Sequence, residues 1–436
     1  MVGRGESLTL IVETDEGSFA RTILPASDLG VHTGPGAEEA TRSAAARWGL
    51  PDFVFHPETR RVGSGQREIG DVILFNGSGG AVVQVKHRAA LSSDAQRETR
   101  WIEKVVAKAR SQGAGTIRAL CSGPLVLENL RGRSIEIDGQ GLPWLRVVVL
   151  DHDDPPPDVV PRAASSGQAP LLVLLRRDWE FLFDQLRSTD AVLSYLRRVA
   201  AFDPTALGRE PVRYYELAGA DARAEPVPID ERVLGGGISA STPLLPRAPI
   251  GHDDNRSHIV IRMILEDIAA TPVQGSPTEE QRLQVLAEID TLPVGYRTEF
   301  GAHVANLVYR AATFDRPDEV LWNTRKFRRP GYPHLILSTC SQLTEQTQEA
   351  FRWLVMLRHY EFGEALGTVA GLATVGVLLT PRLDGRRAWD TTMARVEGDL
   401  DLTAEELAAF RRLWPRSGTD NSLTFGEPED EGPAPT

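Results

Sequence analysis

Cysteine is scarce in this sequence. Two of the 436 residues are cysteines, Cys121 and Cys340, so a disulfide framework is excluded, and so is a cysteine-rich zinc site. Such a composition fits a reducing compartment. The first residues show no basic region followed by an apolar run, which argues against a signal peptide. Together these features predict a cytoplasmic protein.

Long hydrophobic runs are also missing. The longest apolar stretch, residues 365–379, is interrupted by Gly and Thr. A transmembrane helix needs about 20 consecutive apolar residues. This stretch is therefore predicted to be a buried helix or a pair of strands, and no contact with a membrane is expected.

Positive charge is not in excess. The chain has 48 Lys and Arg residues against 60 Asp and Glu residues, a formal net charge of −12, which argues against non-specific coating of nucleic acid. The acidic surplus is uneven, because residues 1–200 carry 24 basic and 25 acidic residues and the remainder carries 24 and 35. Any nucleic-acid contact is therefore expected in the first half. The sequence has four lysines: Lys86, Lys104, Lys108 and Lys326.

Strand-like and helix-like segments alternate through the first half of the chain. A helix, an antiparallel hairpin, a second helix and further strands predict an α/β domain with a mixed sheet flanked by helices over residues 1–202. Residues 203–255, rich in Pro and Gly, are predicted to be a linker or loop-rich connection. Helical patterns return in residues 256–418, which predicts a mainly helical α+β accessory domain. The acidic residues 419–436 predict a disordered tail.

Local patterns make further predictions. A long helix is expected over residues 92–111, followed by a strand over 116–122. The tetrapeptides SPTE (276–279) and TAEE (403–406) are typical of capping boxes. The acidic motif DHDD (151–154) is interpreted as a solvated loop.

A predicted β-hairpin over residues 68–88 carries the chemistry. Two strand-like runs, EIGDVILF and AVVQVKHR, are joined by NGSGG, in which Asn-Gly is a strong turn signal. Alternation places Gln84 and Lys86 on one face, where Asp71 of the first strand can meet Lys86. A carboxylate, a second oxygen donor and a lysine on one face suit metal-assisted phosphodiester hydrolysis.

The pattern GxREIGD…VVQVKHR resembles the core of the PD-(D/E)XK nuclease superfamily in its D…QxK variant, as in Mrr-like restriction endonucleases. In that superfamily a helix before the hairpin often carries a further acidic residue, and here GPGAEEATRSAAARWG occupies that place. The resemblance covers about residues 34–125, a quarter of the chain. It implies a restriction-endonuclease-like fold with Mg²⁺ (or Mn²⁺) as cofactor.

The resemblance also implies roles for individual residues. Asp71 would be a metal ligand, Gln84 would stand in the place of the usual Glu ligand, and Lys86 would be the catalytic lysine. Glu38 is chosen as the additional catalytic and metal-binding residue, because it shares a helix face with Ala45 and Trp48, which are expected to pack inward. Glu39 is the alternative.

Basic residues on the helix after the hairpin form a candidate nucleic-acid contact. Arg97, Arg100, Lys104 and Lys108 are spaced by three, four and four residues and should align as one stripe. With Arg67 and Arg88 they could hold phosphates on either side of a cut. The alternative is a solvated helix face partly neutralised by Glu98 and Glu103.

These features predict a metal-dependent endonuclease of the defence or restriction type, with DNA favoured over RNA as its substrate. Two alternatives stay open: a non-catalytic interaction or scaffold protein with a nuclease fold, and an RNA-cleaving toxin or effector. Residues 256–418, in the acidic second half, are expected to contact a protein partner or to form a homo-oligomer.

Overall fold

The computed structural model describes a mixed α/β protein with ten α-helices in the described part of the chain, which comprises residues 7–14, 17–23, 25–27, 33–56, 59–62, 65–68, 71–161, 169–223, 245, 252–271, 278–316, 319–327, 333–384, 387–414 and 423–425. The chain divides into two compact units. The first comprises Met1–Ala224, Pro243–Ile250 and Val273–Gly295, and the second comprises Glu225–Thr242, Gly251–Pro272 and Tyr296–Thr436.

The first unit contains most of the strands. Its strands are β1 (Leu8–Thr14), β2 (Gly17–Ile23), β3 (Val54–Phe55), β4 (Thr59–Val62), β5 (Gly65–Glu68), β6 (Val72–Phe75), β7 (Gly80–His87), β8 (Leu125–Glu128), β9 (Ser134–Ile137), β10 (Trp144–Asp151) and β11 (Leu171–Leu175). Its helices are α1 (Gly34–Trp48), α2 (Ala95–Leu120), α3 (Arg176–Leu186), α4 (Thr189–Val199), α5 (Glu210–Arg223) and α7 (Glu279–Asp290).

The central sheet of the first unit is mixed, as predicted. Its five strands lie in the order β11-β10-β7-β6-β3. Strands β7, β10 and β11 are parallel, whereas β6 is antiparallel to both β7 and β3. The predicted hairpin is confirmed as β6 and β7. Its turn contains Gly77 at φ 84°, a left-handed conformation that glycine adopts without strain.

Helices cover both faces of this sheet. On one face Ile102, Val106 and Ala109 of α2 pack with Val148 and Leu150 of β10. On the other face α1 and α3 belong to a larger core with the alternate strand residues, among them Val83, Val85, Val147 and Val149. The almost continuous hydrophobic runs of β7 and β10 follow from burial on both sides.

The second unit has its own sheet. Its elements are α6 (His252–Ala270), α8 (Val294–Ala312), β12 (Val320–Phe327), β13 (His334–Cys340), α9 (Glu345–Leu366), β14 (Ala373–Pro381), β15 (Trp389–Glu397), α10 (Ala404–Leu413) and β16 (Leu423–Phe425). Four strands lie in the order β15-β14-β13-β12, and the short β16 pairs with β12. Helices α9 and α10 bury Phe351, Leu354 and Phe410 with strand residues such as Trp322.

The prediction of a strand over residues 116–122 is wrong. Helix α2 continues to Leu120 and buries Ala109, Gly113, Thr116 and Leu120, which recur every three or four residues. The run TIRALCS is short and apolar, so its pattern fits a strand and the last turns of a long helix equally well.

Two stretches predicted to lack regular structure are partly regular. Helix α5 lies within the predicted 203–255 connection, and α6 begins at His252. Residues 224–244 and 246–251 lie outside the described residues. Strand β16 lies within the predicted disordered tail, where Leu423 and Phe425 alternate with a polar residue, and residues 426–436 lie outside the described chain.

Helix caps and the apolar stretch 365–379 refine the sequence predictions. The box at 403–406 is confirmed, whereas the other pairs Thr278 with Gln281 instead of spanning 276–279. The apolar stretch consists of the end of α9, a turn and most of β14, where the sequence predicted a helix or a strand pair. None of the helices in the described part is long and apolar enough to cross a membrane.

Candidate functional site

Three predicted site residues meet where β6 and β7 separate. The described pairing of β6 with β7 begins at Val72 opposite Val83, and Asp71 lies one residue before it. The Asp71 carboxylate accepts a hydrogen bond from the Val85 backbone N–H at 2.6 Å. The carboxylate therefore accepts the hydrogen bond that a backbone carbonyl of a neighbouring strand would otherwise accept. This contact fixes the carboxylate at the end of the β6–β7 pairing.

Lys86 reaches the same point from β7. Its Nζ donates to Asp71 Oδ2 at 3.2 Å, to Gln84 Oε1 at 3.4 Å and to the Val85 carbonyl at 2.9 Å. The side chains of Asp71 and Lys86 are 13% and 18% exposed, while Gln84 is buried. The predicted meeting of Asp71, Gln84 and Lys86 is thus present in the structure, at a point that solvent can reach.

The register shows which sheet face carries these groups. Gln84 pairs with Val148 and Lys86 with Leu150, and both partners face α2. Because side chains of paired residues project to the same side, Gln84 and Lys86 lie on the α2 face. They also lie toward the carboxyl end of parallel strands, the edge at which open α/β sheets bind ligands.

The oxygen donors at this point suit a hard divalent cation. Mg²⁺ is held in proteins by one or two carboxylates together with waters and substrate phosphate. Asp71 supplies one carboxylate, and Gln84 supplies an amide oxygen. No group of three or more His, Cys, Asp and Glu side chains that could hold a metal occurs among the described residues. The donor set therefore fits a cation that is held weakly by the protein alone.

Glu38 and Glu39, the two candidates for a further metal ligand, lie on the same helix. Helix α1 carries Glu38 and Glu39 and packs on the face opposite α2. Both oxygens of Glu39 accept hydrogen bonds within its own helix, from Arg42 at 2.8 Å and from Ser43 at 3.1 Å. Glu38 is half-buried. Both residues therefore lie on a helix that packs on the sheet face opposite α2, and Glu38 stays the choice for the further ligand, with Glu39 as the alternative.

Ala45 and Trp48 were expected to pack inward on the helix face of Glu38, and only Ala45 is fully buried. Trp48 is half-buried and lies against the Arg187 guanidinium, 3.8 Å from the ring centroid.

The basic stripe of α2 is present. Arg97, Arg100, Lys104 and Lys108 are all exposed, and no ion pair joins any of them to another described residue. The opposite face of α2 packs on β7 and β10. The side chain of Arg67 lies outside the described part of the chain.

Arg88 and Glu98 have a role that the sequence did not show. Two guanidinium nitrogens of Arg88 donate to Glu98, at 2.9 and 2.6 Å. Glu98 also accepts from the Ser92 backbone N–H at 2.9 Å and contacts His152 Nε2 at 3.0 Å. Hydrogen bonds from Arg88 outweigh desolvation and lower the pKa of Glu98 to about 2. Arg88 is therefore half-buried and paired with Glu98, and Glu98 is engaged by Arg88 and His152 and not by the stripe.

A second network lies on the other face of the same strand ends. His87 Nδ1 contacts Asp151 Oδ2 at 2.7 Å, and Arg176 Nε donates to Asp151 Oδ1 at 2.7 Å. The interpretation of residues 151–154 as a solvated loop is wrong for Asp151 and His152, which are buried. The burial of Asp151 could have been predicted from its place in the sequence, because it is the last residue of the hydrophobic run that forms β10.

The comparisons with known proteins identify no relative. No protein-family profile matches the sequence, and neither curated proteins nor solved structures give a significant match. The geometry of the site and the charge around it are therefore the basis for the function proposed below.

Proposed function

We propose that this protein is a metal-dependent nuclease that hydrolyses phosphodiester bonds at Asp71, Gln84 and Lys86. The observation that carries the proposal is the contact of Lys86 with Asp71 at 3.2 Å and with Gln84 at 3.4 Å. The mixed sheet with its hairpin and helices on both faces is compatible with the PD-(D/E)XK core that the sequence pattern resembles.

Each residue would have a distinct task. Asp71 and Gln84 would hold Mg²⁺ or Mn²⁺, which, when bound, polarises a phosphoryl oxygen and acidifies a water. The Lys86 ammonium would orient that water or neutralise the charge that develops on the phosphorus oxygens. Glu38 is retained as the candidate for a further ligand.

The α2 stripe supports a nucleic-acid substrate. Four exposed cations lie along one helix whose opposite face packs on β7, the strand that carries Lys86. Arg97 and Lys108 are 11 residues apart, which corresponds to about 16 Å of helix, long enough to span several phosphates. DNA is the favoured substrate, in line with the sequence resemblance. The acidic surplus after residue 200 suits contact with a protein or a second copy of the chain.

Cleavage assays test this function. Supercoiled plasmid, single-stranded DNA and RNA are incubated with the full chain and Mg²⁺, Mn²⁺ or EDTA. Lys86→Ala and Asp71→Asn should each lower the rate by at least about 100-fold. The matched controls Lys326→Ala in the second unit and Asp153→Asn at an exposed position should retain activity. Cleavage that survives both site substitutions, or that persists in EDTA, would contradict the proposal.

One observation favours the non-catalytic alternative. In the described part of the chain, the site has one carboxylate and one amide, and the Lys86 ammonium is bonded to both. A scaffold with a nuclease fold could keep such a pair for stability. It would bind no divalent cation by calorimetry and would cleave none of the three substrates, whereas cleavage of RNA alone would indicate an RNA-directed effector.

A further inference from the structure

We propose that His87 is a positioning residue that aims Lys86, acting through Asp151 and Arg176. This inference rests on the nuclease function proposed above and assigns a role to a group that the proposed chemistry does not use. It starts from three consecutive basic residues on β7. Lys86, His87 and Arg88 each contact a different carboxylate, listed here with the shortest distance: Asp71 at 3.2 Å, Asp151 at 2.7 Å and Glu98 at 2.6 Å.

The His87 contact ties the end of β7 to its neighbours. His87 pairs with Asp151 in the last register position of the parallel strands β7 and β10. Asp151 also receives Arg176 from the first turn of α3, and both side chains are almost fully buried, at 6% and 5% exposure. Arg176 donates in turn to Glu180 and to the Ser27 carbonyl, each at 2.8 Å. The strand end is thus connected to β10 and α3 through charged, buried hydrogen bonds.

The opposite face is held in a matching way. Arg88 pairs with Glu98 on α2, and the Arg88 backbone N–H donates to the Asp151 carbonyl at 2.9 Å. Residues 87 and 88 are therefore fixed from both faces of the sheet. Lys86 directly precedes these two residues on β7 and pairs with Leu150 of β10, and the proposed role of the two contacts is to hold the direction of its side chain.

The hydrogen bonding of the His87 imidazole suits a role in orienting Lys86. Because Asp151 is an acceptor, Nδ1 carries the proton of the contact, and Nε2 is buried without a partner in the described part of the chain. Removal of the imidazole would free one oxygen of Asp151, which would remain paired with Arg176 alone. Outer-shell partners that orient the ligands of a metal site typically contribute 10- to 100-fold to activity, and an effect of that size is expected for His87.

Kinetics of three variants test the role. His87→Ala should lower kcat about 10- to 100-fold with little change in KM. His87→Asn should retain activity within a few fold, because the Asn amide N–H can replace the Nδ1–H donor. Asp151→Asn should resemble His87→Ala, and the double variant His87→Ala/Asp151→Asn should lose little more, as expected for residues that act together. Additive losses, or equal losses in His87→Ala and His87→Asn, would overturn the proposal.

A second readout does not depend on activity. Trace acetylation followed by mass spectrometry reports the reactivity of each of the four lysines in the native full-length chain. In the wild type Lys86 should react several-fold more slowly than the exposed Lys104 and Lys108, and His87→Ala should raise its rate selectively. Unchanged labelling of Lys86 in His87→Ala would refute the positioning role. A wild type that cleaves nothing but shows this labelling change would refute the nuclease function alone.

Discussion

At the scale of single residues, Gln84 has the largest consequence for the proposed chemistry. It is 2% exposed, and its amide oxygen lies 3.4 Å from Lys86 Nζ, beside the Asp71 carboxylate. An amide brings an oxygen donor without a negative charge. The affinity of this site for a divalent cation should therefore be limited by charge and not by geometry.

Gln84→Glu should tighten binding of Mn²⁺ or Mg²⁺ by about 10-fold, because a second carboxylate adds charge at nearly unchanged shape. Isothermal titration calorimetry of the metal-free protein measures the change. Gln96→Glu, at an exposed position on α2, is the matched control and should leave the Kd unchanged. Equal effects of the two substitutions would show that Gln84 is not a ligand.

The residue scale also shows what the sequence could reveal of the site. Asp71, Gln84 and Lys86 are joined by alternation along two strands and one short turn, so their meeting could be predicted from local rules. The contacts of His87 with Asp151 and of Glu98 with His152 could not. Asp151 is 64 residues from His87, and His152 is 54 residues from Glu98, so the parallel pairing of β7 with β10 is needed to reveal them.

At the scale of elements, α2 divides its two faces between different tasks. One face buries Ile102, Val106 and Ala109 against β10, and the exposed face carries four cations. The sequence identified this division from spacing alone. The sequence-based prediction was wrong at the end of the helix. The seven residues 116–122 fit both a strand and a helix by pattern, and the burial of Thr116 and Leu120 on the packed face of α2 shows that residues 116–120 continue the helix.

Removal of two charges from α2 should change how binding depends on salt. In Lys104→Gln/Lys108→Gln, the slope of log K against log salt should become less negative by about 2 for duplex DNA and about 1.4 for a single strand. Fluorescence anisotropy with labelled oligonucleotides in EDTA measures the slopes. Lys326→Gln, in the second unit, is the control. A slope that does not respond to the double substitution would exclude the stripe from the interface.

At the scale of the whole molecule, acid should destabilise the first unit through Glu98. Its pKa of about 2 in the folded state lies below the usual 4.5. Glu98 therefore contributes stability that is present above pH 4.5 and is lost as the pH falls toward 2. A shift of this size corresponds to roughly 3 kcal/mol of unfolding free energy.

Glu98→Gln should lower the unfolding free energy at pH 7 and weaken its dependence on pH between about 5 and 2. Denaturant unfolding followed by tryptophan fluorescence reports this, because Trp101 lies 5.7 Å from His152 in the same network. Glu103→Gln, exposed on the same helix, should behave like the wild type. An acid dependence that persists unchanged in Glu98→Gln would assign it to other carboxylates.

The separation of contacts along the chain also has a consequence for the order of folding. The Asp71–Lys86 contact closes a segment of 15 residues, whereas His87–Asp151 closes one of 64. Short closures form before long ones, because parallel pairing must first overcome a larger loop entropy. During synthesis, the lysine and its carboxylate are thus available to each other before β10 exists. We therefore expect the contact of Lys86 with Asp71 to form early in folding. The final orientation of the Lys86 side chain should be reached only when β10 pairs with β7.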